Sequence, residues 1–174
     1  MSDTDTHTGA EAESVPSPLF SPDDPLSVLW VKAYQGEVLG ESVFGQIADS
    51  LAETEPEQAA KMRVLSTLER RTKEAIAPAM ERAGLSTAPD PEMLSLGEAL
   101  AQGVSWLDFL RATEAITEQY IPLYRRIGEL DPSERDASDL LVAHEAALRA
   151  FARAELAGET EDSLDEINAL AHMR

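Results

Sequence analysis

The stretch Trp30–Gln46, WVKAYQGEVLGESVFGQ, sets a glutamate in the middle of an apolar helical stripe. Leu26, Trp30, Ala33, Glu37, Gly40, Phe44, Ile47 and Leu51 succeed one another in steps of four and three, which is one face of a helix. An ionised carboxylate on a core-facing stripe is costly unless its charge is compensated. Glu37 is therefore either a surface residue at the edge of the stripe or part of a buried polar site.

Working outward, SPDDPLSV just before this stretch reads as a helix start. Ser or Asp caps it, Pro25 sits in the first turn, and the acids suit the positive helix end. Pro56 opens a second long helix on which Met62, Leu65, Glu69, Thr72, Ile76, Ala79 and Ala83 repeat the same steps as far as Gly84, with Pro78 expected to kink or shorten its end. Residues 86–103 form a long connection holding one short helix, over roughly 91–101. Ser105 then caps a third long helix, with Asp108 in the capping-box position. Its predicted stripe is Leu107, Leu110, Glu114, Thr117, Ile121 and Tyr124, and Pro122 should bend it. DPSERDASD makes the next turn, and the fourth long helix carries Leu141, His144 or Glu145, Leu148 and Phe151 inward. SLDEINALAHM is a short last helix on the outside. No repeat and no alternating strand pattern occurs. The fold class is all-α: a four-helix bundle in which two short-turn pairs are joined by one long crossover.

Residues 1–20 are small, polar and acidic, and too poor in large apolar side chains to offset the entropy of ordering; they are predicted to be a disordered tail ahead of a helical domain over 21–174. The 33 acidic residues against 14 Lys and Arg give a formal charge of -19, which repels phosphates and anionic lipid. Nucleic-acid binding is thereby disfavoured. No apolar run is long enough to insert in a membrane, no secretory signal is visible, and no cysteine exists for disulfides or thiolate sites, so a cytoplasmic location is expected. Serine-nucleophile, phosphate-loop and paired-histidine zinc patterns are absent as well.

Glu37, Glu69, Glu114 and Glu145, with His144 beside the last, all lie within about one turn of their helix centres. In an antiparallel bundle those positions share one level. Four carboxylates and an imidazole there can hold divalent ions, and the ions neutralise charges otherwise intolerable in a core. Against this stands the abundance of acids: one Glu on a stripe is ordinary, and the third and fourth long helices each allow a rotated stripe that leaves Glu114 or Glu145 at the edge. Glu41 and Glu118, four residues after Glu37 and Glu114, read as solvated residues or as supports for the ligands. Tyr34, Tyr120 and Tyr124 fill the core or hydrogen-bond to ligands. His7 and His172 are incidental, and the pairs Arg70–Arg71 and Arg125–Arg126 serve surface ion pairs.

QGEVLGESVFGQ and ATEAITEQY resemble the first and third helices of the ferritin-like di-iron carboxylate superfamily, nearest in motif to its demethoxyubiquinone hydroxylase and rubrerythrin branches. The resemblance spans roughly residues 26–157. It implies a ferritin-like fold with Glu37 and Glu114 as ligands, and Glu-x-x-His on the second and fourth helices. There the chain departs: Thr72 stands where His is expected after Glu69. On the fourth helix, Glu145 pairs with Leu148 in one register and His144 with Leu141 in the other. The implied function is an Fe or Mn protein, one or two ions, acting as an O2- or peroxide-dependent oxidase or oxygenase on a small apolar substrate, with a homodimer expected by analogy. The alternative is a metal-free bundle that binds an apolar ligand or a protein partner. A weaker third is an acidic decoy for a basic partner.

Overall fold

The computed structural model describes residues 21 and 23–171; the tail predicted over 1–20, with His7, and also His172 lie outside them. Four long helices carry the chain: α1 (Leu26–Leu51), α2 (Pro56–Arg82), α4 (Trp106–Leu130) and α5 (Arg135–Ala157). The short α3 (Pro91–Ala101) lies in the connection between the two halves, α6 (Asp165–Ala171) follows α5, and a single 3-10 turn, Pro132–Glu134, separates α4 from α5. No strand occurs among the described residues.

α1 packs along α2 and α4 along α5, each pair joined by a tight turn. α3 lies against α1, α2 meets α5 to join the pairs, and α6 rests on α5 and α2. α1 and α4 touch about as sparsely as α2 and α5. Both internal prolines, Pro78 and Pro122, sit within uninterrupted helices. Gly158 ends α5 in the left-handed conformation, at φ +80°, where glycine has no side chain to strain.

Two apolar clusters make up the core. One gathers Phe44, Leu65, Phe109, Leu148 and Phe151; the other gathers Trp30, Ile76, Tyr124, Ile127 and Leu141. Phe109 meets Phe44 edge-on with ring centroids 5.7 Å apart, and Trp106 meets Phe151 edge-on at 6.2 Å. Glu69 and Thr72 on α2, Thr113 and Thr117 on α4, and His144 and Glu145 on α5 lie along their helices between the two clusters. Glu37 joins them from α1. A buried polar layer thus divides the core at mid-height.

Three local expectations are corrected. Neither Ser nor Asp caps α1: Asp24 accepts from the Ser21 N–H and pairs with Lys32, and Pro25 itself is the N-cap. Ala83, predicted inward, is the exposed C-cap of α2. On α4 the buried row runs through Leu110, Thr113, Thr117, Tyr124 and Ile127, so Leu107 and Glu114 fall outside it. The Ser105 cap holds: its hydroxyl accepts from the Asp108 N–H at 3.2 Å and donates to the Asp108 carboxylate at 2.6 Å.

Candidate metal centre

Each member of the polar layer is brought inward by apolar residues one or two turns away on its own helix. Ala33 and Phe44 pin the face of α1 that carries Glu37, Leu65 and Ile76 that of α2 with Glu69, and Leu141 and Leu148 that of α5 with His144 and Glu145. Glu37, Glu69, His144 and Glu145 are all buried, His144 with only 1% of its surface exposed. Donor atoms of Glu37, Glu69 and His144 lie within 4.8 Å of one another.

The imidazole is the hub. His144 Nε2 is 3.0 Å from Glu69 Oε1; Nδ1 is 2.7 Å from Thr72 Oγ1 and 3.3 Å from Glu37 Oε2. Glu37 Oε2 has no hydrogen-bond partner among the described residues. Burial pushes the Glu69 and Glu145 carboxyls up to about 8. Burial also holds Glu37 well above the ordinary carboxylate range, with His144 opposing and the neighbouring Glu69 and Glu145 charges adding to it. The Tyr124 phenol is raised in turn by burial and by the Glu145 and Glu37 charges.

These residues fit a divalent ion. A buried carboxylate oxygen without a partner is the kind of group an ion satisfies, and two carboxylates with one imidazole form a donor set for a hard or borderline cation. With Nε2 turned to an ion, Nδ1–H donates to Thr72 Oγ1, the outer hydrogen bond that orients a ligating histidine. Thr72→Val is expected to weaken metal binding by about 10–100-fold, read by calorimetric Mn2+ titration against wild type.

The sequence candidates separate cleanly. Glu37, Glu69 and His144 come together, with the buried Glu145 beside them. Glu114 does not: it is partly exposed and ion-paired with Arg153 Nε at 2.7 Å, because α4 turns Thr113 rather than Glu114 inward. Glu114→Gln should therefore leave metal content unchanged and cost no more than about 1 kcal/mol in a denaturant titration. Glu118 is exposed and paired with Arg149 at 2.8 Å, and Glu41 is paired with Lys73. The Tyr34 hydroxyl donates to the Thr87 carbonyl at 2.8 Å, toward the connection leading to α3. Thr72 touches His144, and half-buried Tyr120 lies near Glu145 with its ring 6.1 Å from that of Tyr124.

Gly40 was legible only as a member of the stripe, yet its role is spatial. A Cβ there would overlap the Glu69 carboxyl, so glycine makes the room in which Glu69 reaches the layer. Gly40→Val should push Glu69 aside and lower metal affinity by at least about tenfold in the same titration.

Above the layer lies a cavity of about 590 Å³ between α1, α3 and α4, with Glu37, Glu69, Glu145 and Tyr124 at its inner end. No protein-family model, curated protein or solved structure matches the chain significantly.

Proposed function

We propose that the chain is a ferritin-like bundle that holds Fe or Mn in its mid-bundle layer for O2- or peroxide-dependent oxidation. The observation that carries this reading is the convergence of buried Glu37, Glu69 and His144 donors within 4.8 Å, one Glu37 oxygen lacking a partner. Two helix pairs joined through a long connection bearing a short helix support the ferritin-like plan. The preponderance of carboxylate over imidazole favours Fe or Mn over Cu. A redox-active ion, when bound, supplies electron transfer to O2 or peroxide.

The chain's own residues do the rest. Glu37, Glu69 and His144 Nε2 hold the ion, and Thr72 fixes the imidazole. The Glu145 carboxyl, raised by burial to about 8, keeps a proton near neutral pH and can deliver it beside the site. The apolar walls above keep bulk water away.

A second reading is a metal-free ligand-binding bundle. It is favoured by the position of His144, already held between Glu69 and Thr72, which lets the layer neutralise itself without an ion. Elemental mass spectrometry of protein grown in Fe- and Mn-supplemented medium decides between them. About one to two ions per chain supports the first reading; less than about a tenth of an ion overturns it.

A further inference from the structure

We propose that the cavity between α1, α3 and α4 takes an uncharged, chain-like apolar molecule, threaded between α1 and α4, whose hydrogen-bond-donating end rests on Glu37. This deepens the reading above by naming what enters the same site, but the binding itself does not require an ion.

Its size comes first. A volume of about 590 Å³ lies inside the range of roughly 300–1,000 Å³ typical of sites that enclose small molecules. The walls are Leu39, Val43, Ile47, Val104, Phe109 and Leu148. Thr113 and Thr117 also line it, but their hydroxyls donate back to the Phe109 and Thr113 carbonyls at 2.9 and 2.8 Å, which makes their stretch of wall less polar than its composition. The polar groups at the rim are likewise engaged. Gln35 donates to the Ala88 carbonyl and accepts from the Asp90 N–H, each at 2.9 Å.

Charge then selects the end group. Glu37, Glu69 and Glu145 all face the cavity, and Lys32, the one cation among the lining residues, is paired with Asp24 at 2.9 Å. A carboxylate, phosphate or sulfate end would be buried against three carboxyls without a counter-ion. A hydroxyl end instead donates a hydrogen bond, and Glu37 Oε2 is a buried acceptor with no partner among the described residues. The route in is apolar too. Val31, Leu100 and Ile116 are exposed apolar side chains that continue the cavity wall to the surface between α1, α3 and α4.

The test is isothermal titration calorimetry of the metal-free full chain at pH 8 with 1-decanol and with decanoate, two probes sharing one chain. Decanol should bind at one per chain, and decanoate at least about tenfold more weakly. Ala112→Trp and Ile116→Trp, at exposed cavity-lining positions, should each weaken decanol binding about tenfold with helical content unchanged by circular dichroism. Leu130→Trp, exposed on α4 but outside the lining, should not. No saturable decanol binding, equal binding of decanoate, or an equal loss in Leu130→Trp overturns the proposal. Should a tryptophan variant misfold, the comparison of alcohol with acid on the wild-type chain still decides. Metal uptake without decanol binding overturns this inference alone; decanol binding without metal uptake overturns the metal reading and leaves this one standing.

Discussion

Glu37→Gln protein, purified from Fe- and Mn-supplemented cells, should carry less than about a tenth of the metal of wild type while its metal-free form becomes harder to unfold. Both halves of this result come from one carboxyl. Glu37 is buried, its Oε2 has no hydrogen-bond partner among the described residues, and the Glu69 and Glu145 charges press on it. As a ligand it supplies a negative donor that an amide cannot replace. As a group in a metal-free core it is a liability, since burial favours its protonated form while the unfolded chain gains by releasing that proton, and glutamine is neutral in both states. The metal-free variant is expected to gain about 1–3 kcal/mol in urea titration, the usual exchange of stability for function at a strained site. Metal content equal to wild type would remove Glu37 from the ligand set. A metal-poor variant that is also less stable would mean that Glu37 holds the fold rather than an ion.

The second large effect is in pH. Glu69 and Glu145 are raised from the ordinary carboxylate range to about 8, so between about pH 4.5 and 8 the folded chain binds protons that the unfolded chain has released. Stability must then fall as pH rises through that window: the contribution is complete below about 4.5 and lost above about 8. At about 1.4 kcal/mol per pH unit for each of the two carboxyls, the metal-free protein should lose several kcal/mol across it, seen as a falling urea midpoint between pH 5 and 8. Asp24 and Glu134, lowered by their hydrogen bonds, act in the opposite sense, but only below about pH 4.5. Metal reverses the slope. An ion takes the deprotonated carboxylates, so affinity rises with pH and binding releases protons, measurable as buffer-dependent heats. A metal-free urea midpoint that rose between pH 5 and 8 would show that the layer is hydrated and ordinary.

How far the sequence went is best judged helix by helix. On α1 and α2 the steps of three and four place Glu37 and Glu69 on the apolar face, whereas on α5 they leave His144 and Glu145 as alternatives. Both proved buried, because the inward face of α5 is wide enough for two adjacent residues. α4 misled. It flanks the cavity and carries exposed Leu107 and Ile116 as well as buried Leu110 and Leu123, so two rows fit its periodicity and the row chosen delivered Glu114 to the core. A helix that borders an apolar opening has no sharp polar boundary to read. The contact of Thr72 with His144 and the room that Gly40 leaves for Glu69 are relations between helices, and spacing along one helix cannot express them.

The donors do not belong to one part of the chain. Glu37 and Glu69 come from the first helix pair, while His144 stands 75 positions after Glu69, in the second. An ion seated among them would be a clasp across the two halves. Because its ligands come from both halves, loss of such an ion to a chelator would depend on the breathing of the bundle as well as on exchange through the cavity. Release then slows with every contact that holds α2 to α5 and quickens steeply on warming.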